Sequence, residues 1–317
     1  MTKILLTGAA GFIGSHVAEY LLDQGHQVIG IDNFDDFYAR SIKEQNIIAC
    51  RQKPSFTFIE GNVGDVALFL PEANFDVVIH LAAKAGVRPS IAQPEQYIDA
   101  NLSQTMALLQ WMKVHGMHKL VFASSSSVYG NNAKVPFAES DPVDHPISPY
   151  AFTKKAGELL THTFHHLADI DVINLRFFTV YGERQRPDLA IYKFAKAMLD
   201  DQPITLFGNG STSRDYTYVG DIVQGIISSM EYVMSNRPVF ETINLGSKNP
   251  IRLIDLVHSL EEIIGQPANI HWMDMQDGDV DRTFADIQKA GRLLHYTPNI
   301  SLMDGLTRFV AWLKLNS

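Results

Sequence analysis

The sequence predicts an α/β fold, a doubly wound parallel sheet of the Rossmann type with a second, smaller α/β substrate domain. Three observations predict it. Apolar runs of strand length alternate with helix-period segments from the N-terminus onward, the βαβ signature. Those runs are continuous and not alternating, as expected of parallel strands covered on both faces. After Val180 the pattern changes to short helices, isolated strands and Gly-rich turns such as Gly208-Asn209-Gly210.

The predicted strands are Lys3–Thr7, Val28–Ile31, Phe56–Ile59, Val77–His80, Leu120–Ala123 and Val172–Phe177. Helices are expected from Gly11 to Gln24, closed by Gly25, from Asn101 to His115, closed by Gly116, and from Pro149 to Leu167. A further helix is expected over Asp221–Met234, followed by a strand at Thr242–Leu245 that rejoins the sheet. The division drawn is a cofactor domain of residues 1–180 and 217–247, and a substrate domain of 181–216 and 248–317.

Bulk properties narrow the function class. Apolar residues make up 46% and charged residues 19% of the 317, enough for a core and not a disordered composition. The net charge of −9 argues against general nucleic-acid binding, though not against a small anion held by local Arg and Lys. Cys50 is the only cysteine, which excludes an intrachain disulfide and fits a reducing, cytoplasmic setting. The N-terminal MTKILLTGAAGFIGSH reads as a first strand and turn, not a signal peptide, and no apolar run approaches a membrane span.

Gly8, Gly11 and Gly14 follow the first strand. A dinucleotide site needs a tight turn, backbone close to a pyrophosphate, and a helix packed closely on the sheet. The helix start, with Phe12 and Ile13, offers free N–H groups and a positive dipole end to the phosphates. Asp32 ends the second strand, where a carboxylate can accept from an adenosine ribose and repel a 2′-phosphate, so NAD is favoured over NADP. Further cofactor contacts are expected from Asn33, Asn62, Val63, Leu81, Ala82, Ala83 and Lys84 near strand ends, and from Asn101.

Tyr150 and Lys154 lie four apart at the start of a helix and share one face. A free phenol has a pKa near 10; the Lys154 ammonium and a cationic nicotinamide would lower it and make Tyr150 a base. Ser124-Ser125-Ser126-Ser127 follows the fifth strand and supplies hydroxyls to share the substrate proton. Ser125 is expected to serve catalysis, whereas Ser124 and Ser126 also fit a turn bonding its own backbone.

Taken together, TGAAGFIGSH, HLAAKAGVRPS, SSSSVYG, YAFTK, LRFFTVYG, SRDYTYVGDI and GDV resemble the extended short-chain dehydrogenase/reductase family, in its nucleotide-sugar epimerase and dehydratase branch, over nearly the whole chain. The resemblance implies Tyr150 as base, Lys154 as its partner, Ser125 as the aligned serine, and a homodimer through two helices per subunit, about 101–115 and 149–167. It also implies a shared first step, in which the 4-hydroxyl proton goes to Tyr150 and the C4 hydride to NAD. Dehydratases carry an Asp-Glu pair before Val-Tyr-Gly, and decarboxylases a Glu. Here Ser126 and Ser127 stand there, which leaves 4-epimerisation.

The run Phe177-Phe178-Thr179-Val180-Tyr181-Gly182-Glu183-Arg184-Gln185-Arg186-Pro187-Asp188 is similar to bacterial UDP-glucuronate 4-epimerases, with Glu183 in place of a proline. The similarity continues at Lys193-Phe194 and at residues 275–280, where Asp277 replaces another proline. Thr179 is expected to face the C6 end of a UDP-sugar, with Ser127 nearby. Arg186 would hold a sugar carboxylate, or Arg184 and Arg186 would bind only diphosphate or form surface ion pairs, and Arg214 would hold diphosphate. Phe207 would cover the uracil or join the core, and Arg88 and Ser90 would border the sugar or lie in a solvated loop. The alternative substrates are UDP-glucose and UDP-N-acetylglucosamine. No metal is expected: His162, His165 and His166 share a helix without a carboxylate or cysteine to complete a site.

Overall fold

The computed structural model describes residues 1–72, 74–274 and 281–316. The similarity noted at 275–280 lies outside the described residues. The N-terminal half alternates β1 (Lys3–Thr7), α1 (Phe12–Asp23), β2 (Gln27–Asp32), β3 (Phe56–Glu60), β4 (Val77–His80), α2 (Gln104–Val114), β5 (Lys119–Ser125), α3 (Pro149–Ala168) and β6 (Asp171–Phe177). The chain continues through β7 (Thr179–Tyr181), β8 (Ile204–Phe207), β9 (Ser213–Tyr218), α4 (Val219–Ser235), β10 (Phe240–Leu245), β11 (Pro250–Arg252) and β12 (Ile270–Met273).

The main sheet has seven strands in the order β10-β6-β5-β4-β1-β2-β3 among the described residues, every pair parallel. The pleat sends alternate side chains to opposite layers. Ile4 and Leu6 pack with Val17 and Leu21 of α1 and Ile222 and Ile226 of α4. Leu5 packs the other way, with Leu108 and Met112 of α2 and Phe164 of α3. Each such fully buried aliphatic side chain contributes about 1.5–3 kcal/mol. Double-sided burial explains why these strands read as continuous apolar runs.

The predicted returning strand pairs with β6, Thr242 opposite Asn174. β7 and β9 pair with each other, and β11 joins β9. Boundaries drawn at 180 and 217 therefore cut through two strands of a small separate sheet. β8 and β12 form a further parallel pair. The expected 101–115 helix instead begins with a π turn, Asp99–Ser103, that runs into α2. No described helix is long and apolar enough to cross a membrane.

Strand order reverses between β4 and β1, and the crevice at their carboxyl ends is where open α/β sheets bind ligands. Thr7 and His80 end these two strands and bond through Thr7 Oγ1 and His80 Nδ1 at 2.7 Å, while His80 Nε2 meets Thr105 Oγ1 of α2 at 2.9 Å. Burial drives His80 down to about 3, so it is a neutral tie in the core.

Candidate active site

A cavity of about 520 Å³ runs along that crevice, lined by Gly8, Asp32, Ala82, Ser125, Tyr150 and Thr179 among others. At one end β1 turns sharply into α1. Gly8 takes a left-handed φ of 72° and donates from its N–H to Ile31 O at 2.8 Å. The turn tolerates no side chains: a Cβ on Gly8 would lie 2.8 Å from Ala82 N, and one on Gly14 2.0 Å from Gly8 O. Gly11, Phe12, Ile13 and Gly14 line the cavity at this helix start, a cradle of backbone N–H groups suited to a pyrophosphate. Asp32 accepts from Phe34 N at 2.9 Å and Ala10 N at 3.1 Å, and keeps a carboxylate on the cavity wall. Burial raises its pKa, and those two bonds and Lys43 oppose the shift. The residues present therefore fit a dinucleotide with a free ribose 2′-hydroxyl.

Asn33, Val63, Leu81, Ala82, Ala83 and Lys84 line the same cavity. Asn62 stands to one side, its Oδ1 accepting from Asn33 Nδ2 at 2.9 Å. Asn101 is not among the lining residues. Its amide instead brackets the β4 loop, accepting from Lys84 N at 2.8 Å and donating to Lys84 O and Thr153 Oγ1 at 3.0 Å. Asn101 lies within the π turn Asp99–Ser103. Sequence reasoning missed the segment after β2. Asp35, Phe37, Tyr38 and Lys43 all line the cavity, with Lys43 bonded to the Asp35 carbonyl and Lys84 paired with the Asp35 carboxylate at 3.0 Å.

The other end of the cavity is set by the start of α3. Pro149 occupies the first turn, and the Ser148 hydroxyl accepts from Ala151 N at 3.1 Å. Ser90 Oγ accepts from Tyr150 N, also at 3.1 Å, so Ser90 orders this turn from below and does not line the cavity. Tyr150 is partly exposed, facing the cavity, and Lys154 is 5% exposed. Lys154 Nζ donates to Ala123 O of β5 at 2.8 Å and stands 6.0 Å from the Tyr150 ring centre. The Ser125 hydroxyl accepts from Ser127 N at 3.2 Å and interacts with the Tyr150 phenol. Protein groups alone do not lower the phenol as expected. Burial raises it, opposed by Ser125 and then by the charge of Arg186. Burial also drives Lys154 down to about 8.

Ser127, Thr179, Arg186 and Arg214 line the remaining wall. Ser127 Oγ is buried with no hydrogen-bond partner, an oxygen prepared for a ligand. Arg186 forms a two-point pair with Asp188 at 2.9 Å and stacks over Phe37, whereas Arg184 turns away to Glu19 of α1 at 2.8 Å. Arg88 and Phe207 are outside the lining set and pack on each other, 5.0 Å apart. Among the described residues the lining carboxylates are Asp32 and Asp35, both at the glycine-turn end. His162 and His165 pack around Phe240, away from the cavity.

Residues 4–246 match the model of the NAD dependent epimerase/dehydratase family. A UDP-glucuronate 4-epimerase of Thermodesulfobacterium geofontis is 42% identical over 321 residues, covering 100% of this chain and 97% of the relative. The crystal structure of UDP-glucuronic acid 4-epimerase from Bacillus cereus, in complex with UDP-glucuronic acid and NAD, superposes with a TM-score of 0.93 at 38% identity, covering 99% of this chain and 100% of that one. A UDP-glucose 4-epimerase of Thermotoga maritima, with UDP-glucose, gives a TM-score of 0.90 at 30% identity over 99% of both chains.

Proposed function

Because the chain belongs to the NAD dependent epimerase/dehydratase family, we propose that it is a UDP-glucuronate 4-epimerase, interconverting UDP-glucuronate and UDP-galacturonate. One observation carries the choice of reaction. Tyr150, Ser125 and Lys154 meet at the cavity beside Ser126 and Ser127, with no carboxylate of the described residues lining that end. The site can therefore move the 4-hydroxyl proton, and its described residues offer no second acid or base for dehydration.

Bound NAD would supply a reversible hydride acceptor for C4, and hydride return to the opposite face of the sugar would invert that carbon. Gly8, the start of α1 and Asp32 would hold this cofactor, and Lys43 and Lys84 line the same end of the cavity. Tyr150 Oη takes the 4-hydroxyl proton and later returns it. Lys154, held by Ala123 O, keeps positive charge beside the phenolate, and Ser125 hydrogen-bonds the reacting hydroxyl. Arg186 and Arg214 take the diphosphate, and Thr179 and Ser127 the C6 carboxylate. The substrate domain comprises the small sheet, β8, β12 and the C-terminal helices, and the cavity runs between it and the cofactor domain.

The enzyme works as a homodimer in the cytoplasm. Phe152 and Leu159, seven apart on α3, are 46% and 58% exposed, and Ile98 and Met106 expose 43% and 37% beside them; a partner's matching helices would cover this face. The buried Cys50 suits a reducing compartment. Separate incubation with UDP-glucuronate, UDP-glucose and UDP-N-acetylglucosamine, read by NMR of the anomeric protons, tests the assignment. UDP-galacturonate should form from UDP-glucuronate with no net NADH. Its absence, or faster turnover of UDP-glucose, would replace this reading.

A further inference from the structure

Below the cavity floor lies a buried polar chain that the proton and hydride chemistry does not use. Glu158 follows Lys154 by one turn on α3 and is 5% exposed. Its carboxylate accepts from Ser124 Oγ of β5 at 2.7 Å, and from Nε and a terminal nitrogen of Arg176 on β6, both at 2.8 Å. The other terminal nitrogen of Arg176 donates to Tyr129 Oη at 3.0 Å, and that hydroxyl donates to Asn244 Oδ1 of β10 at 2.7 Å. Ser124, Arg176 and Asn244 are each 3% exposed or less.

The connectivity gives these residues a role in catalysis. Ser124 immediately precedes Ser125, and Tyr129 ends the 3₁₀ turn, Ser126–Tyr129, that follows it. Both ends of the segment that presents Ser125 are thus fastened to one ion pair. The same carboxylate sits on the helix that carries Tyr150 and Lys154. A buried ion pair stabilises a fold little compared with apolar residues of the same volume, so stability gives a weak reason for its presence. A two-point guanidinium–carboxylate pair does impose direction and distance. We infer that Glu158 and Arg176 are positioning residues, holding the Ser125 segment and the catalytic turn of α3 in register so that Ser125, Tyr150 and Lys154 converge.

This inference rests on the epimerase reading and is tested with the NAD-loaded enzyme and UDP-glucuronate. Glu158→Gln should lower kcat about 10- to 100-fold, the scale of a misplacement near 1 Å, with KM and NAD content unchanged. Tyr129→Phe and Ser124→Ala remove single links and leave the ion pair intact, and should each lower kcat several-fold at constant KM. If Glu158→Gln does not fold, these two variants decide alone. Full kcat per NAD-loaded molecule in both overturns the proposal, as does a lower melting temperature with kcat unchanged, which would assign the chain of bonds to stability. Absence of wild-type turnover would overturn the epimerase reading first, and this proposal with it.

Discussion

Lys154 donates from Nζ to the main-chain oxygen of Ala123 at 2.8 Å, which ties the catalytic helix to the strand that ends in Ser125. The contact fixes the ammonium near the Tyr150 ring, while burial drives Lys154 down to about 8 and raises the phenol. The protein thus supplies geometry at an electrostatic cost, which the positive nicotinamide of bound NAD would offset. Tyr150→Phe removes the proton acceptor alone and should lower kcat about 10²- to 10⁴-fold while NAD still co-purifies. Lys154→Met should lower kcat comparably. Turnover followed by NMR, with NAD read by absorbance after denaturation, checks both; Tyr150→Phe at more than a tenth of wild-type kcat would remove Tyr150 as the base.

Gly14 faces a harder constraint than its backbone angles suggest. An alanine Cβ there would meet Gly8 O at 2.0 Å, and Gly8 cannot retreat because its own Cβ position already abuts Ala82 N. Gly14→Ala must push α1 off the turn, at about 1–3 kcal/mol. The first loss should be NAD: affinity by titration calorimetry should fall at least about tenfold, as 1.4 kcal/mol implies. Normal NAD content at unchanged affinity would show that the cradle is not the pyrophosphate site.

How much of this site the sequence discloses depends on how local each signal is. The glycine turn, Asp32 at the end of β2 and the Tyr150–Lys154 face follow from spacing within one turn or one helix. Ser90, sixty residues before Tyr150, bonds its N–H, and no local pattern could place it there. The loop holding Phe37 and Tyr38, which leads into the short helix Arg40–Asn46 that carries Lys43, likewise gives no local signal; its path begins with a left-handed Phe34, φ 51°. Arg184 and Arg186 were indistinguishable by spacing. The left-handed φ of 62° at Arg184 separates them, one to Glu19 and the other to the cavity.

His80 makes stability depend on pH in a defined direction. In the unfolded chain imidazole protonates near 6.5, whereas in the fold it does not until about 3. The folded pKa is depressed, so between these values the unfolded state binds the extra proton and stability falls as pH drops. The loss is about 1.4 kcal/mol per pH unit at most, or about 2 kcal/mol from pH 7 to 5. His80→Gln removes this proton from the balance, although it costs packing at every pH. Urea unfolding at pH 7 and pH 5 should show a shallower acid loss for the variant; identical losses would mean that His80 is not the source.

The proposed place of Thr179 at the C6 end bears on a hazard specific to UDP-glucuronate. Oxidising C4 of a glucuronate creates a ketone β to the C6 carboxylate, and such acids lose CO₂ when the bond to the carboxylate aligns with the carbonyl π system. An epimerase must therefore hold the carboxylate out of that alignment. Thr179 and Ser127 both line the cavity, and the buried, unpartnered Ser127 Oγ can bond a carboxylate without giving up an existing bond. Arg186 is already committed to Asp188, so its loss should weaken substrate binding and leave the carboxylate held. Thr179→Ala should accordingly divert turnover to UDP-pentose and CO₂, detected by NMR and mass spectrometry, while Arg186→Ala raises KM without pentose. If Thr179→Ala only slows a clean conversion to UDP-galacturonate, the carboxylate is restrained elsewhere and Thr179 serves binding alone.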